Sequence, residues 1–253
     1  MFELKLKTFD GTQIAFNHLR RKERDEVIII CHGFCSAKDN GPFLDMSRDF
    51  FTHMDVINMD QRGHGNSSGF FSFSSQEHGD IRAVIEFART IYSRVHLMGF
   101  SLGAASSAIE VAESGNVASL ILVSPPADFV KIENHFLDRN ILSYGLKRFT
   151  FHYFKLRPGN PLQKKVKPSE AVERINNIPL LVIHGEKDRI IFPWHGREVY
   201  LHANEPKKLV IFDKGEHAEA IYEENPKRFI SLCLEWTRNA STIRGLDDCP
   251  PII

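Results

Sequence analysis

The 253-residue chain carries no net charge, because 32 lysines and arginines are balanced by 32 aspartates and glutamates. Without an excess of either sign, no overall field draws it to nucleic acid or to an anionic membrane surface, and its partners must be recognised locally. Long apolar runs are missing as well. None approaches the length that spans a bilayer. The opening residues Met1-Phe2-Glu3-Leu4-Lys5-Leu6-Lys7 alternate in polarity like a strand instead of forming the unbroken apolar stretch of a signal peptide. A cytoplasmic location without stable membrane association is the expectation. Cysteine is scarce: Cys31, Cys35, Cys233 and Cys249 are scattered without zinc-ligand spacing, which reads as reduced, mostly structural thiols. There is no His-Glu-x-x-His, no P-loop and no Gly-x-Gly-x-x-Gly. His217-Ala218-Glu219 has the His-x-Glu form of a deaminase, but no Cys-x-x-Cys accompanies it. No metal or other cofactor is expected.

What remains is an ordinary globular composition, 42% apolar and 25% charged, in a chain long enough for one large domain or two small ones. Residues 2–7 and 14–19 flank Asp10-Gly11-Thr12 and read as an antiparallel hairpin. The β-branched run Val27-Ile28-Ile29-Ile30-Cys31 suits a strand covered on both faces. Further strands are expected at 55–59, 95–98, 119–123, 179–184 and 208–212. Helices are expected at 42–53, 75–92, 102–114, 194–203 and 226–239. This alternation implies a mainly parallel sheet flanked by helices, whose ligands sit beyond the carboxyl ends of the strands. One connection is too long for a simple loop. Residues 125–178, rich in aromatics interleaved with lysine and arginine, are read as a small helical cap inserted into a core formed by 1–124 and 179–240, with 241–253 an irregular tail.

The chemistry centres on Gly99-Phe100-Ser101-Leu102-Gly103, placed between an apolar strand and a helix. Such pentapeptides occur by chance, but in this context a sharp turn lifts the serine out of the fold, and glycines two positions either way avoid a collision of strand and helix. Ser101 then needs a base and the base an orienting acid. His217, in the loop after the last strand, is the candidate base, with His32, His64 and His184 as rivals at other strand ends. Asp188, after the strand at 179–184, is the candidate acid, with Asp128 and then Glu186 behind it. Two N–H donors would face the developing oxyanion: Leu102, just after the nucleophile, and Phe34, where Gly33 lets the backbone come near. Gly33, Phe70, Phe71, Phe129 and Phe136 are the candidate substrate-contacting residues, and the basic residues of the cap hint at an anionic substrate portion.

His32-Gly33-Phe34, Asp60-x-Arg62-Gly63-His64-Gly65-x-Ser67, Gly99-x-Ser101-x-Gly103, Gly185-x-x-Asp188 and His217 together resemble the α/β-hydrolase superfamily. Within it the chain is most similar to lid-bearing serine esterases, monoglyceride-lipase-like hydrolases and serine-aminopeptidase-like members. The resemblance runs from about residue 2 to about residue 238. It implies a cofactor-free hydrolase acting on a small-molecule ester through an acyl-enzyme, and leaves thioester or amide cleavage open. In place of the family's usual glycine before the histidine stands Glu216, and the oxyanion loop is less glycine-rich than in lipases. The Asp60–Ser67 motif is read as a structural turn. A non-catalytic binding protein on the same fold would be expected to lack a triad member, and C–C bond hydrolysis would use the same three residues.

Overall fold

The structure, a computed structural model, describes residues 2–132, 155–160 and 162–243. Eight strands form one sheet: β1 (Phe2–Lys7), β2 (Gln13–Leu19), β3 (Glu26–Cys31), β4 (Asp55–Met59), β5 (Arg94–Phe100), β6 (Ser119–Val123), β7 (Leu180–Gly185) and β8 (Lys207–Phe212). Their spatial order is β1-β2-β4-β3-β5-β6-β7-β8. The two pairs that involve β2 are antiparallel and the remaining five are parallel. Chain direction therefore brings the ends of β3 through β8 to one rim, and the strand order reverses between β3 and β5, the place where open α/β sheets characteristically bind ligands.

Helices α1 (Gly41–Phe51), α2 (Glu77–Arg89), α3 (Leu102–Ser114), α4 (Pro168–Val172), α5 (Pro193–His202), α6 (Glu219–Glu224) and α7 (Pro226–Ile243) cover the sheet. The period-2 pleat divides each β-branched strand between two cores. Val27, Ile29 and Cys31 of β3 join Ile81 and Ile85 of α2 and Ala104 and Ala108 of α3 on one face. Ile28 and Ile30 join Phe43 and Phe50 of α1 and Phe229 and Cys233 of α7 on the other. α3 stops at Gly115, which takes the left-handed conformation at φ 64°. Among the described residues no helix is long and apolar enough to cross a membrane. Cys31, Cys35 and Cys233 are free thiols.

The expected strands and the longer helices lie where the sequence placed them, within a few residues at their ends. Three boundaries differ. α4 falls within the stretch expected to form the cap, yet its Ala171 and Val172 are fully buried and Val172 belongs to the same core as Ala104 and Ala108 of α3. The terminal helix runs on to Ile243, into the stretch expected to be irregular. α6 forms a separate short helix, cut off by Asn225-Pro226, since proline disfavours a helical residue before it.

The Asp60–Ser67 turn is pinned from both ends. Asp60 accepts N–H groups of Lys38 and Asn66 at 2.8 Å each. The guanidinium of Arg62 grips the fully buried Asp80 of α2 through Nε at 2.9 Å and Nη2 at 2.7 Å, and reaches Asp10 and Gln76 with Nη1. Arg62→Met is expected to cost about 3–5 kcal/mol, because it strands a buried carboxylate without its partner. Urea unfolding of the variant checks this, and a loss under about 1 kcal/mol would contradict it.

Candidate active site

Ser101 stands between the last residue of β5 and the first of α3, at φ 52° and ψ −118°. A non-glycine residue in this region costs on the order of 1–3 kcal/mol, and the conformation turns the side chain off the sheet toward the rim. The turn is held by the Ser101 N–H donating to the Val123 carbonyl at 2.9 Å. Its two glycines are required by space: a methyl on Gly103 would lie 2.3 Å from the His32 carbonyl oxygen, and one on Gly99 would lie 2.5 Å from the Gly103 carbonyl oxygen. Gly103→Ala is thus expected to push α3 off the end of β3 and to destabilise the fold by about 1–3 kcal/mol or more. A thermal melt reads this directly, and an unchanged melting temperature would refute the packing argument.

The loop after β8 brings His217 onto the serine. Its Nε2 lies 3.0 Å from Ser101 Oγ, and its Nδ1 lies 2.8 Å from Asp188 Oδ2. A carboxylate only accepts, so Nδ1 carries the proton and Nε2 is left to accept from the serine hydroxyl. Asp188 Oδ1 takes the N–H groups of Ile190 and Ile191 at 2.9 and 3.0 Å. Burial pushes the Asp188 carboxyl up, but His217 and a hydrogen bond from His184 outweigh it and hold the group well below the usual carboxylate range. The loops after β7 and β8 are laced together by Glu186 N–H to the Phe212 carbonyl and Lys187 N–H to the Gly215 carbonyl, each 2.9 Å. Behind the imidazole, Ala218 sits at φ 54° and donates its N–H to the buried Ser124 hydroxyl at 3.0 Å.

Positive φ recurs around this rim. Of the seven described non-glycine residues that adopt it, Cys35, Ser101, Ser124 and Ala218 follow β3, β5 and β6 or His217, and Ser74 lies beside Leu102, whose carbonyl accepts from Ser74 Oγ at 3.2 Å, with Phe73 next to it in the chain. Such strain persists only where surrounding contacts over-determine it, which marks the rim as the worked part of the fold.

Gly33 approaches the serine as its sequence position suggested: a methyl added there would lie only 3.1 Å from Ser101 Cβ. Leu102 is the first residue of α3, where a backbone N–H has no intrahelical acceptor. Phe34 is half-buried and stacks at 5.2 Å on Phe71 and at 5.8 Å on Phe73. Phe71 itself is 1% exposed, wedged against His64, so it backs the Phe34 ring instead of presenting a surface of its own. Phe70 points the other way: it is 65% exposed and lines a 330 Å³ cleft with Asp10, Thr12 and Arg62 to which none of Ser101, Asp188 and His217 contributes. Phe129 is half-buried on a short 3-10 turn, Phe129–Lys131, and Phe136 lies outside the described residues. Phe73, which adjoins Phe34, is hidden from a sequence reading because nothing in Ser72-Phe73-Ser74 has strand or helix periodicity.

The rivals are otherwise engaged. His32 faces the Gly33 carbonyl and the Gln61 N–H, bracing the loop. His64 donates through Nδ1 to the Arg62 carbonyl, and burial pushes its pKa down to about 3. Asp128 accepts from Val130 N–H and pairs with Lys167, while Glu186 pairs with exposed Arg197. Glu216 is exposed to solvent. Residues 157–158, within the stretch expected to form the cap, are tied to the 63–71 loop: Arg157 N–H donates to the Gly63 carbonyl at 2.8 Å, its guanidinium caps the carbonyls of Ser67 and Gly69, and Pro158 bridges Phe71. Among the described residues no group of three or more His, Cys, Asp and Glu side chains is placed to hold a metal ion.

A mostly parallel sheet with a serine elbow after β5, an aspartate after β7 and a histidine after β8 is the architecture of an α/β-hydrolase. A sequence model of the alpha/beta hydrolase family matches residues 28–232, and the chain belongs to that family of hydrolases. Among curated relatives it is 27% identical over 195 residues to YfhR of Escherichia coli O157:H7, an uncharacterized protein; the match covers 72% of this chain and 62% of that one, less than two thirds of the relative's length. Among solved structures it is similar to DcsB in complex with its substrate analogue, at a TM-score of 0.83 and 17% identity, covering 94% of this chain and 99% of the other. It is also similar to the esterase Pf2001 of Pyrococcus furiosus, at a TM-score of 0.76 and 18% identity, covering 94% and 92%.

Proposed function

We propose that the protein is a serine esterase. In this reading Ser101 Oγ attacks the carbonyl carbon of a carboxylic ester while His217 Nε2 takes its proton and Asp188 stabilises the imidazolium. The carbonyl oxygen, now an oxyanion, accepts the N–H groups of Phe34 and Leu102, with the N-terminus of α3 adding its dipole. Collapse breaks the ester C–O bond, His217 returns the proton to the departing alcohol, and the acyl group stays on Ser101. Water, deprotonated by the same imidazole, then attacks the acyl carbon, the bond from that carbon to Ser101 Oγ breaks, His217 returns the proton to Oγ, and the carboxylic acid leaves.

The observation that carries the reading is the continuous hydrogen-bonded line from Ser101 Oγ through His217 to Asp188, at 3.0 and 2.8 Å. The esterase named among its structural neighbours is in accord with it. The acyl or alcohol part would lie beside Phe34, which adjoins Phe71 and Phe73, under the segment read from the sequence as a cap, and neither metal nor cofactor would take part. The partner is a small-molecule ester rather than nucleic acid or membrane. Free thiols at Cys31, Cys35 and Cys233 suit a reducing compartment, in line with a cytoplasmic enzyme.

Thioesters and amides would pass through the same steps. A panel of nitrophenyl esters, acyl thioesters and aminoacyl amides, assayed after dialysis against chelator, separates them. The highest kcat/KM is expected on an ester, and a preference of more than about 10-fold for either other class would replace the assignment.

A further inference from the structure

His184 is fully buried at the end of β7, where its place after a strand makes it a rival base by sequence. Its Nε2 lies 2.8 Å from the Ile191 carbonyl oxygen and 3.3 Å from Asp188 Oδ2. Both of these are acceptors, so Nε2 carries the proton, hydrogen-bonded to the Ile191 carbonyl with Asp188 Oδ2 also within its reach. Nδ1 is then bare, and it has no hydrogen-bond partner among the described residues. That edge of the ring lies against the backbone of α5: a methyl at Gly196 would come within 2.4 Å of Nδ1, so only glycine there admits the imidazole.

We infer that His184 is a positioning residue for the proposed hydrolysis, donating Nε2–H to the same Asp188 oxygen that receives His217 Nδ1–H and thereby fixing where that oxygen points. The inference rests on the esterase reading and concerns the residue behind the acid. Asp188 Oδ1 is already fixed by the Ile190 and Ile191 amides. Without His184, Oδ2 has only His217 to orient it. The Ile191 carbonyl that accepts from Nε2 belongs to the residue whose N–H holds Oδ1, so one imidazole ties both the carboxylate and its cradle to β7. The other titratable groups close by do not compete for this proton. His195 of α5 turns its Nδ1 to the Ala127 N–H, and Glu186 is engaged outward by Arg197.

A donor on Oδ2 also spreads the carboxylate charge. Removing it concentrates that charge on His217, favours the imidazolium, and moves the acid limb of activity to higher pH. A role in packing alone would not move the limb.

The test is the rate of fluorophosphonate labelling of Ser101 against pH, in the full chain and in His184→Gln, His184→Asn and His184→Met. Glutamine places an amide N–H₂ near the position of Nε2, asparagine falls one methylene short, and methionine fills the space without a donor. Labelling by His184→Met and His184→Asn is expected to fall by about 10-fold at the plateau, the loss of one hydrogen bond to a charged group. Their acid limb is expected to rise by several tenths of a pH unit up to about one unit. His184→Gln should recover to within about threefold with the limb of the parent protein. If His184→Met fails to fold, the asparagine and glutamine pair carries the comparison. A parent-like rate and limb in the donor-less variants, or equal impairment of all three with an unmoved limb, would overturn the inference and leave the esterase reading standing. Absence of label on the parent protein would overturn both.

Discussion

Ser101→Ala is expected to lower kcat/KM on the best ester by at least about 10⁴-fold while leaving the melting temperature within about 2 °C. The size follows from the division of labour at the site. Removing the nucleophile of a serine hydrolase abolishes the covalent route and leaves only what oxyanion donors and binding contribute to direct attack by water. The small structural effect follows from geometry: Ser101 holds the turn through its backbone N–H, and its hydroxyl hydrogen-bonds to His217. The positive φ of Ser101 is no more strained for alanine than for serine, since both carry a Cβ, so the elbow keeps its shape. A residual activity within tenfold of the parent would require a different nucleophile.

Asp188→Asn should cost up to about 10⁴-fold in kcat, with KM little changed. The mutated amide can still accept from the Ile190 and Ile191 N–H groups through its oxygen, but its NH₂ then faces His217 Nδ1. This inverts the tautomer and turns Nε2–H toward Ser101, where it can no longer take the hydroxyl proton. Asp128→Asn is the matched control. Asp128 caps a short turn and pairs with Lys167, away from the imidazole, and its change is expected to leave kcat within about twofold. Reversal of the two outcomes would assign the acid to the loop after β6.

The parts legible in the sequence were those with a local physical signature. β6 was readable because Leu120–Val123 is a short apolar run bounded by Ser119 and Ser124, β4 less sharply from Val56-Ile57, and the elbow because only glycine fits at 99 and 103. His217 and Asp188 could be singled out by their places after successive strands, since the parallel topology gathers those ends at one rim. What stayed hidden depends on contacts between distant segments. Phe70 and Phe71 are adjacent and equally apolar, and only the bridge between Phe71 and Pro158 settles which of them is buried. Ala218 adopts a left-handed conformation with no glycine to announce it, because the Ser124 hydroxyl from the end of β6 holds its amide. His184 looks in sequence like any other strand-end histidine. Its relation to Asp188 depends on the turn at 185–191 folding back over the ring, and on Gly196 of α5 leaving room for it.

The nucleophile can be tested without knowledge of the natural substrate. Treating the protein with a fluorophosphonate, digesting it and sequencing the modified peptide by mass spectrometry locates the adduct. One adduct per chain is expected, on Ser101, formed faster at alkaline than at acidic pH because the imidazole must be neutral to take the hydroxyl proton. An adduct on any other residue, or an unmodified Ser101 in folded protein at alkaline pH, would contradict the assignment of Ser101 as the nucleophile.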